Sequence, residues 1–264
     1  MVAMRLENKV AIVVGGASGM GEAISHLFAR EGAAVAIADV NEASAIRVSN
    51  EVAAEQGRSR AYRLDVVQPE QVADVFATVS RDLGAIDILI NASGLSQFKP
   101  TAEITPDDLR RTVDVNLIGV FYACQEAGRA MIPRRSGKIV NFGSTAGIAG
   151  VPYMAHYTAA KHGVVGLTKS LAVEWGKYNV NVNCICPGAT ETPMFVNTLS
   201  PEAREQRVKR IPLQRFGKTS DQANTALFLA SSDSDYLTGS IVCVDGGASA
   251  ISPATATEVL LGHV

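Results

Sequence analysis

Short apolar runs alternate with longer amphipathic stretches along nearly the whole chain. The apolar runs predict strands at Val10–Val14, Val35–Val40, Ala61–Val66, Ile86–Asn91, Lys138–Phe142, Val180–Cys186 and Ile241–Val244. The stretches between them predict helices at Gly21–Glu31, Glu42–Gln56, Glu70–Leu83, Asp107–Ile132, Ala155–Tyr178 and Asp221–Ala230. Several strand candidates are continuous in Val, Ile and Leu, which is typical of strands buried on both faces of a parallel sheet. We therefore expect an α/β fold, with one doubly wound parallel sheet of about seven strands and helices on both faces.

The alternation is interrupted between Pro187 and Gly217. This segment has scattered prolines and a charged helical stretch, and no strand is predicted in it. A long excursion of this kind in a compact domain is usually a binding loop or a lid, so we expect a substrate lid over about residues 188–217. No linker or repeat divides the chain, and residues 1–264 are expected to form a single domain. The tail after Gly247 has no pattern that predicts a structure.

The composition argues against a nucleic-acid-binding, membrane or metal-binding protein. The net charge is −2, so we expect no attraction to nucleic acid or to an anionic membrane surface. No apolar run reaches the length of a membrane span, and residues 1–9 lack a leader-like apolar core, so a cytoplasmic protein is expected. In that reducing compartment the four cysteines are expected to be buried thiols. The four histidines lie in no metal-binding motif, so no metal is expected.

A glycine-rich turn joins the first predicted strand to the first predicted helix. Its glycines allow a tight turn and let the backbone approach a pyrophosphate closely. The N-terminus of the following helix supplies N–H groups and a partial positive charge for the same anion. The residues expected to contact a dinucleotide in this turn are Gly15, Ser18, Gly19, Met20 and Gly21.

An acidic residue, Asp39, lies at the end of the second predicted strand. It follows Gly19 by twenty residues, where a carboxylate can accept hydrogen bonds from the two hydroxyls of an adenosine ribose. The same carboxylate repels a 2′-phosphate, and Ser18 in the turn offers that phosphate no cation. The pattern therefore favours NAD over NADP as the cofactor.

Tyr157 and Lys161 are candidate catalytic residues. They are four positions apart on a predicted helix, so their side chains share one face. A free tyrosine has a pKa of about 10, and a neighbouring ammonium favours the phenolate that acts as a base. Ser144 ends the fifth predicted strand, where its hydroxyl can hold a reacting oxygen beside Tyr157. Each of these signals is weak alone, because a tyrosine and a lysine at this spacing are common on helix surfaces.

Two other enzyme motifs are excluded by single positions. Gly16 and Gly21 have the spacing of a P-loop, but Glu22 and Ala23 stand where lysine and serine or threonine are required. A serine hydrolase elbow around Ser144 needs a glycine two residues earlier, and that position is occupied by phenylalanine.

Together these residues resemble the short-chain dehydrogenase/reductase family over essentially the whole chain. The turn Val14-Gly15-x-x-x-Gly19-x-Gly21 is similar to the family's glycine motif, with valine in place of its usual threonine. Asn91-Ala92-Ser93-Gly94 is similar to the motif after the fourth strand, with Ala-Ser in place of Asn-Ala. The other matching positions are Asp65-Val66, Asn116, Ser144, Tyr157, Lys161, Pro187-Gly188, Thr192 and Asp245-Gly246-Gly247.

The resemblance implies a Rossmann fold and a role for each matching residue. Tyr157 acts as a phenolate base, while Lys161 lowers its pKa and holds the nicotinamide ribose. Ser144 orients the substrate oxygen, and Asn116 keeps a helix backbone open to a water that relays protons. Further cofactor contacts are implied for Asp65, Val66, Asn91, Ala92, Gly94, Pro187, Gly188 and Thr192. The two departures from the family motifs, at Val14 and at Ala92-Ser93, bear on the stability of the turn more than on the class of reaction.

The substrate is less well defined than the chemistry. The expected pocket wall lies between the strand ends and the lid, and its residues are Leu95, Phe98, Ala146, Ile148, Val151, Met154, Met194, Phe195 and Leu199. Because this wall is mostly apolar, we expect a neutral, fairly hydrophobic secondary alcohol or ketone. The cluster of Arg204, Arg207, Lys209 and Arg210 either receives an anionic group of substrate or coenzyme or forms a solvated helix face. His156 adjoins Tyr157 but diverges from it by about 100° on a helix.

Two rival functions remain on the same fold. A 3-oxoacyl-thioester reductase shares every motif above but normally prefers NADPH, which Asp39 disfavours. A non-catalytic dinucleotide-sensing protein commonly lacks the tyrosine or the lysine that this chain has. The resemblance also implies a homo-oligomer, usually a tetramer, paired through the long helices predicted at Asp107–Ile132 and Ala155–Tyr178.

Overall fold

Seven parallel strands form a single sheet in the order β3-β2-β1-β4-β5-β6-β7, in a computed structural model that describes residues 4–196 and 200–251. The strands are β1 (Val10–Val14), β2 (Ala34–Asp39), β3 (Arg58–Arg63), β4 (Ile88–Asn91), β5 (Gly137–Phe142), β6 (Val180–Pro187) and β7 (Ile241–Val244). Every residue of β1 and β4 is buried, as expected for central strands covered on both faces.

Helices cover both faces of this sheet, so the predicted doubly wound fold is confirmed. One face carries α1 (Gly19–Arg30), α2 (Glu42–Ala54) and α9 (Thr219–Ala230). The other face carries α3 (Pro69–Asp82), α5 (Gly119–Met131) and α6 (Ala155–Trp175). The shorter helices are α4 (Pro106–Val113), α7 (Pro193–Val196) and α8 (Pro201–Val208). Neighbouring residues of β1 point into opposite cores: Ile12 packs on the side of α6, and Val13 packs on the side of α1.

The order of the strands reverses at β1. Strands β2 and β3 extend to one side of β1, whereas β4 returns to pair on its other side. In an open parallel sheet, ligands bind outside the carboxyl ends of the strands at such a switch point. The turn after β1, Asp39 at the end of β2 and the segments after β4 and β5 all meet at this edge.

The third strand lies three residues before its predicted position. It spans Arg58–Arg63 instead of Ala61–Val66, and it forms the edge of the sheet against β2. Leu64 and Val66 are buried, yet they lie beyond the last paired residue. The prediction followed burial, whereas at an exposed edge the strand is defined by backbone pairing alone. The other strand and helix ends differ from their predicted positions by three residues or fewer, apart from the interruption described next.

The long helix predicted over Asp107–Ile132 is interrupted. The chain runs as α4, a π-helical segment at Asp114–Ile118, and then α5. Within the predicted lid, α7 and α8 are helical, and Thr190 and Gly217 close the segment through an isolated parallel bridge. Leu199, predicted to line the pocket, lies outside the described residues.

The cysteines follow the expectation with one exception. Cys124, Cys184 and Cys186 are buried, and all four cysteines are free thiols. The expectation of burial was wrong for Cys243, which is exposed because β7 is an edge strand. Across the described part of the chain, no helix combines the length and apolar character needed to cross a bilayer.

Candidate active site

A cleft of about 760 Å³ opens at the carboxyl ends of the strands. It brings together residues that the sequence places up to about 180 positions apart. The predicted site residues that line it are Gly15, Ser18, Gly19, Met20, Gly21, Asp39, Asp65, Val66, Ala92, Gly94, Tyr157, Lys161 and Thr192. The lining residues that the sequence reasoning missed include Leu64, Arg110 and Arg111. The signal for the two arginines is their place on α4, the α-helix that follows β4 on the edge where the strands end.

Three predicted cofactor contacts lie outside this lining. Asn91 is completely buried at the end of β4, where its Nδ2 donates to Asn141 Oδ1 at 2.9 Å. Pro187 and Gly188 lie at the end of β6, and a side chain on Gly188 would come within 2.6 Å of the Asp245 Cβ. The structure therefore places these residues beneath and beside the cleft, where they hold neighbouring strands together.

The glycine turn requires glycine for two physical reasons. A Cβ on Gly21 would lie 2.0 Å from the carbonyl oxygen of Gly15, so no side chain fits between them. Gly15 and Gly19 have φ values of +77° and +55°, which lie in the left-handed region. Helix α1 begins at Gly19, and Ser18 precedes it without a side-chain capping bond. The N–H groups of the first turn are thus left for an anion.

Asp39 is fixed in place by the backbone around it. Its Oδ2 accepts from the Ala17 N–H at 3.2 Å, and its Oδ1 accepts from the Asn41 N–H at 3.0 Å. The nearby Arg47 is held in ion pairs to Glu22 at 2.8 Å and to Glu51 at 2.9 Å. The carboxylate therefore faces the cleft while the neighbouring guanidinium is engaged elsewhere.

Strand β5 and helix α6 bring Ser144, Tyr157 and Lys161 together. The Ser144 hydroxyl forms a hydrogen bond with the Tyr157 phenol, and it also accepts from the Ala146 N–H at 3.1 Å. The Lys161 Nζ donates to the Phe142 carbonyl at 2.8 Å and lies 5.7 Å from the centre of the Tyr157 ring. A hydroxyl pair therefore lies next to a buried ammonium.

Burial is the dominant influence on the titration of both groups. It raises the pKa of Tyr157, and the hydrogen bond from Ser144 opposes that rise. Burial also lowers the pKa of Lys161 to about 8. Because the protein alone holds the phenol in its neutral form, a tyrosinate here requires additional positive charge close by.

Asn116 connects the interrupted helix to the loop after β4. Its Nδ2 donates to the carbonyls of Leu95 and Thr112, each at 2.9 Å, and its Oδ1 accepts from the Leu95 N–H at 3.3 Å. In a regular α-helix the Thr112 carbonyl would accept from the backbone N–H of residue 116. In the π-helical segment the Asn116 side chain takes that acceptor instead. A Cβ on Gly94 would lie 2.9 Å from Asn116 Oδ1 and 3.7 Å from Lys161 Nζ.

The segment predicted to be a lid contains contacts between cations and aromatic rings. The Arg204 guanidinium pairs with Glu191 at 2.8 Å and lies 5.2 Å from the centre of the Phe216 ring. Phe216 meets Phe195 edge to face at 5.1 Å. Arg207 lies over the rings of Phe195 and Phe98. Lys209 and Arg210 are exposed. The cluster of basic residues therefore divides into an inner pair on aromatic rings and an outer, solvated pair.

The residues of the predicted pocket wall are apolar, but only some of them are enclosed. Leu95 lines the cleft, Ala146 and Met154 are buried, and Val151 is half-buried. Phe98 and Ile148 are exposed by 60% and 40%. His156 is buried, and neither of its ring nitrogens has a hydrogen-bond partner among residues 4–196 and 200–251.

The chain is similar to known oxidoreductases over almost its full length. A family model described as "Enoyl-(Acyl carrier protein) reductase" matches residues 15–249. The 3-oxoacyl-(acyl-carrier-protein) reductase of Thermotoga maritima is 40% identical over 244 residues, which cover 92% of this chain and 99% of that protein. The 2,5-dichloro-2,5-cyclohexadiene-1,4-diol dehydrogenase of Sphingobium indicum is 38% identical over 250 residues, covering 93% and 99%. Among solved structures, levodione reductase matches with a TM-score of 0.91 and 33% identity, covering 94% of this chain and all of that one.

Replacing Lys161 with Met is expected to stabilise the fold at neutral pH. The folded-state pKa of about 8 lies below the ordinary value of 10.5, so the folded chain binds this proton more weakly than the unfolded chain. The stability conferred by the neutral amine is complete above pH 10.5 and is lost as the pH falls toward 8. Removing the charge gains about 3 kcal/mol at pH 7, and losing the Phe142 hydrogen bond costs about 1 kcal/mol. Melting curves should show K161M about 4–8 °C above the wild type at pH 7.

The same comparison at pH 9.5 provides the check on this cause. There the wild-type amine is mostly neutral in the folded protein, so the difference in melting temperature is expected to fall by at least half. Lys169→Met, an exposed substitution on the same helix, should leave the melting temperature unchanged. A K161M protein that melts below the wild type at pH 7 would contradict the account.

Proposed function

The chain belongs to the short-chain dehydrogenase/reductase family and is an oxidoreductase, and we propose that it transfers hydride between NAD(H) and a secondary alcohol or ketone. The observation that carries this proposal is the hydrogen bond between Ser144 and Tyr157 beside the buried ammonium of Lys161. Tyr157 and Lys161 line the same cleft as the glycine turn. In this proposal residues 1–264 act as one dinucleotide-binding and catalytic unit with a lid over about 188–217.

The lining of the cleft supports NAD as the proposed cofactor. Gly15, Gly19 and Gly21 line the cleft with backbone that a pyrophosphate could approach, and Asp39 would offer its carboxylate to the ribose hydroxyls. When bound, NAD would supply the hydride acceptor for alcohol oxidation and, in its reduced form, the hydride donor for ketone reduction. Residues from Gly15 to Gly21 would hold the pyrophosphate. The other assigned contacts are Asp65 and Val66 for adenine, and Ala92, Gly94, Tyr157, Lys161 and Thr192 toward the nicotinamide.

Tyr157 is the proton acceptor in alcohol oxidation and the donor in ketone reduction. As the carbinol loses hydride, its hydroxyl proton moves to the Tyr157 oxygen, and Ser144 holds the substrate oxygen by a hydrogen bond. Because burial raises the pKa of Tyr157, the phenolate needs the charge of Lys161 and of the oxidised nicotinamide. The relay water is assigned to the helix break at Asn116, through which the proton leaves.

Two alternative functions are a 3-oxoacyl-thioester reductase and a protein that senses a dinucleotide without catalysis. A 3-oxoacyl-thioester reductase shares every residue of the catalytic set, and a relative from Thermotoga maritima carries that name. The carboxylate of Asp39 disfavours it, because such reductases normally use a phosphorylated cofactor. A dinucleotide-sensing protein without catalysis is disfavoured because Ser144, Tyr157 and Lys161 are all present and in contact with one another or with the cleft.

The substrate is proposed to meet an apolar wall beside Tyr157. Leu95 lines the cleft, Ala146 and Met154 are buried in the segment that leads from β5 to α6, and the three side chains carry no charge. A neutral and fairly hydrophobic carbinol centre fits such a wall better than a polyol does.

The protein is proposed to be a cytoplasmic homotetramer that binds neither nucleic acid nor membrane. Helices α5 and α6 carry apolar side chains on their outer faces, and Phe121 and Val173 are exposed by 43% and 87%. Burial of these side chains between subunits favours association.

Replacing Tyr157 with Phe tests the catalytic assignment. The variant keeps the ring but has no group that exchanges a proton with substrate, so kcat is expected to fall by about 10²–10⁴-fold. NAD binding, followed by quenching of protein fluorescence, should be nearly unchanged. Tyr236→Phe, at a fully exposed tyrosine, serves as the control with wild-type turnover. Full activity in Y157F would remove the assignment.

Replacing Asp39 with Ala tests the choice of cofactor. The wild type is expected to work with NAD(H) on secondary alcohols and poorly with NADP(H). In D39A the ratio of the two kcat/KM values should move toward NADP by about tenfold or more, because the repulsion of a 2′-phosphate is gone. Glu42→Ala removes a nearby exposed acid that does not line the cleft and should leave the ratio unchanged. A wild type that prefers NADPH with 3-oxoacyl thioesters would establish the alternative.

Sedimentation of the purified protein tests the assembly. At micromolar concentration the wild type is expected to have the mass of a tetramer. Phe121→Glu should shift the distribution toward smaller species, since a carboxylate on this apolar face would be desolvated on association. A wild type that sediments as a monomer would contradict the proposal.

A further inference from the structure

Arg207 lies between two aromatic rings at the outer end of the cleft. Its guanidinium carbon is 6.0 Å from the centre of the Phe98 ring and 5.4 Å from the centre of the Phe195 ring. Phe98 follows Leu95, and Phe195 follows Thr192, and both of these earlier residues line the cleft. The guanidinium therefore spans the gap between the loop after β4 and the lid.

This gap is on the substrate side of the cleft. The backbone N–H of Lys99 donates to the Tyr153 carbonyl at 2.8 Å. That bond holds the loop carrying Phe98 beside the segment that leads into α6 and Tyr157. Arg207 is therefore connected through Phe98 and Lys99 to the segment that carries Tyr157.

The charge of Arg207 is not neutralised by the protein around it. Within residues 4–196 and 200–251, no carboxylate lies at ion-pair distance from this guanidinium and no hydrogen-bond acceptor meets its N–H groups. Arg204, one turn earlier on α8, is paired with Glu191 at 2.8 Å. Two other acids of this region are engaged as well, since Glu205 pairs with Lys209 at 2.7 Å and Asp108 pairs with Lys99 at 2.6 Å.

The two rings position the guanidinium without consuming its hydrogen bonds. An aromatic face attracts a cation, but it accepts N–H donors weakly compared with an anionic oxygen. A guanidinium carries five N–H donors in a planar arrangement that matches a carboxylate or a phosphate. Arg207 is thus a preorganised cation with unused donors at the entrance to the site.

We propose that Arg207 binds an anionic group of the substrate, at the end remote from the reacting carbinol. This inference rests on the proposed hydride transfer and deepens it: the substrate is a secondary alcohol or ketone that carries a carboxylate or a phosphate. The expectation of a neutral substrate then holds only for the part beside Tyr157, where the wall is apolar. A free hydroxy acid and a thioester on a phosphate-bearing carrier arm both have this chemistry.

Pairs of substrates that differ in one anionic group distinguish two roles for Arg207: binding an anion of the substrate, or holding the lid in place. One pair is a hydroxy acid and its methyl ester, such as 3-hydroxybutyrate or 5-hydroxyhexanoate with their esters. The other is a 3-hydroxyacyl thioester of coenzyme A and of N-acetylcysteamine, which lacks the phosphate. Rates are followed by nicotinamide absorbance for the wild type, R207M, R207K and the exposed control R210M.

The wild type is expected to favour the anionic member of at least one pair by about 10–100-fold in kcat/KM. In R207M that preference should disappear through KM, with kcat and the rates of the uncharged members retained, because methionine keeps an apolar stem between the rings. R207K should retain part of the preference, and R210M all of it. The pair that shows the preference identifies the source of the anion.

Three results would overturn the inference. These are equal turnover of both members of each pair by the wild type, retention of the wild-type preference by R207M, and equal slowing of charged and uncharged substrates in R207M. The last result would assign Arg207 to holding the lid closed. Failure of the proposed function has a different signature, namely no turnover of any of these compounds by the wild type, and it would remove the substrate assignment as well.

Discussion

A charged amine held away from water is the constraint on which the rest of the site depends. Lys161 is only 3% exposed, and the Phe142 carbonyl at 2.8 Å compensates for part of its lost hydration. To reach that position, α6 must approach the segment after β5 so closely that a Cβ on Gly147 would lie 2.8 Å from the Lys161 carbonyl oxygen. Gly94 leaves the corresponding room on the other side of the amine. Two glycines outside the cofactor turn are thus explained by one buried charge.

The two ends of the cleft are built from different kinds of interaction. At the cofactor end, backbone meets backbone where Gly21 packs on Gly15, and a backbone N–H fixes Asp39. At the lid, side chains hold each other, as in the contact of Phe195 with Phe216. A backbone contact tolerates almost no substitution, whereas a side-chain contact changes with each residue. Relatives of this chain carry the names of different substrates, and a region held by side-chain contacts is the one that can vary with the substrate.

The sequence predicts the centre of the sheet well because burial and strand pairing coincide there. In β1 and β4 every residue is buried and paired, so an apolar run marks the strand itself. At the edge strand β3, burial and strand pairing do not coincide. The strand was therefore predicted over the buried residues that follow the paired ones. Asn91 shows a related limit, because its motif does not reveal that the side chain turns toward Asn141 instead of the cleft.

Features that depend on distant contacts leave still less trace in the sequence. The helix is interrupted where the Asn116 side chain donates hydrogen bonds to the carbonyls of Thr112 and Leu95. No local sequence pattern predicts this interruption. The setting of Arg207 depends on Phe98, which lies far away along the chain. By contrast, Ser144, Tyr157 and Lys161 were found because a strand end and a helix face place them together by regular geometry.

The double role of Asp39 bears on how this chain could change during evolution. Its carboxylate accepts hydrogen bonds from the Ala17 and Asn41 N–H groups, so it anchors the glycine turn and the start of the next connection while it lines the cleft. A lineage that exchanged this acid to admit a phosphorylated cofactor would lose both anchors in the same step. The exchange would therefore require a compensating substitution nearby before it was tolerated. The choice of cofactor is therefore coupled to the rigidity of the turn, because one substitution at Asp39 would change both.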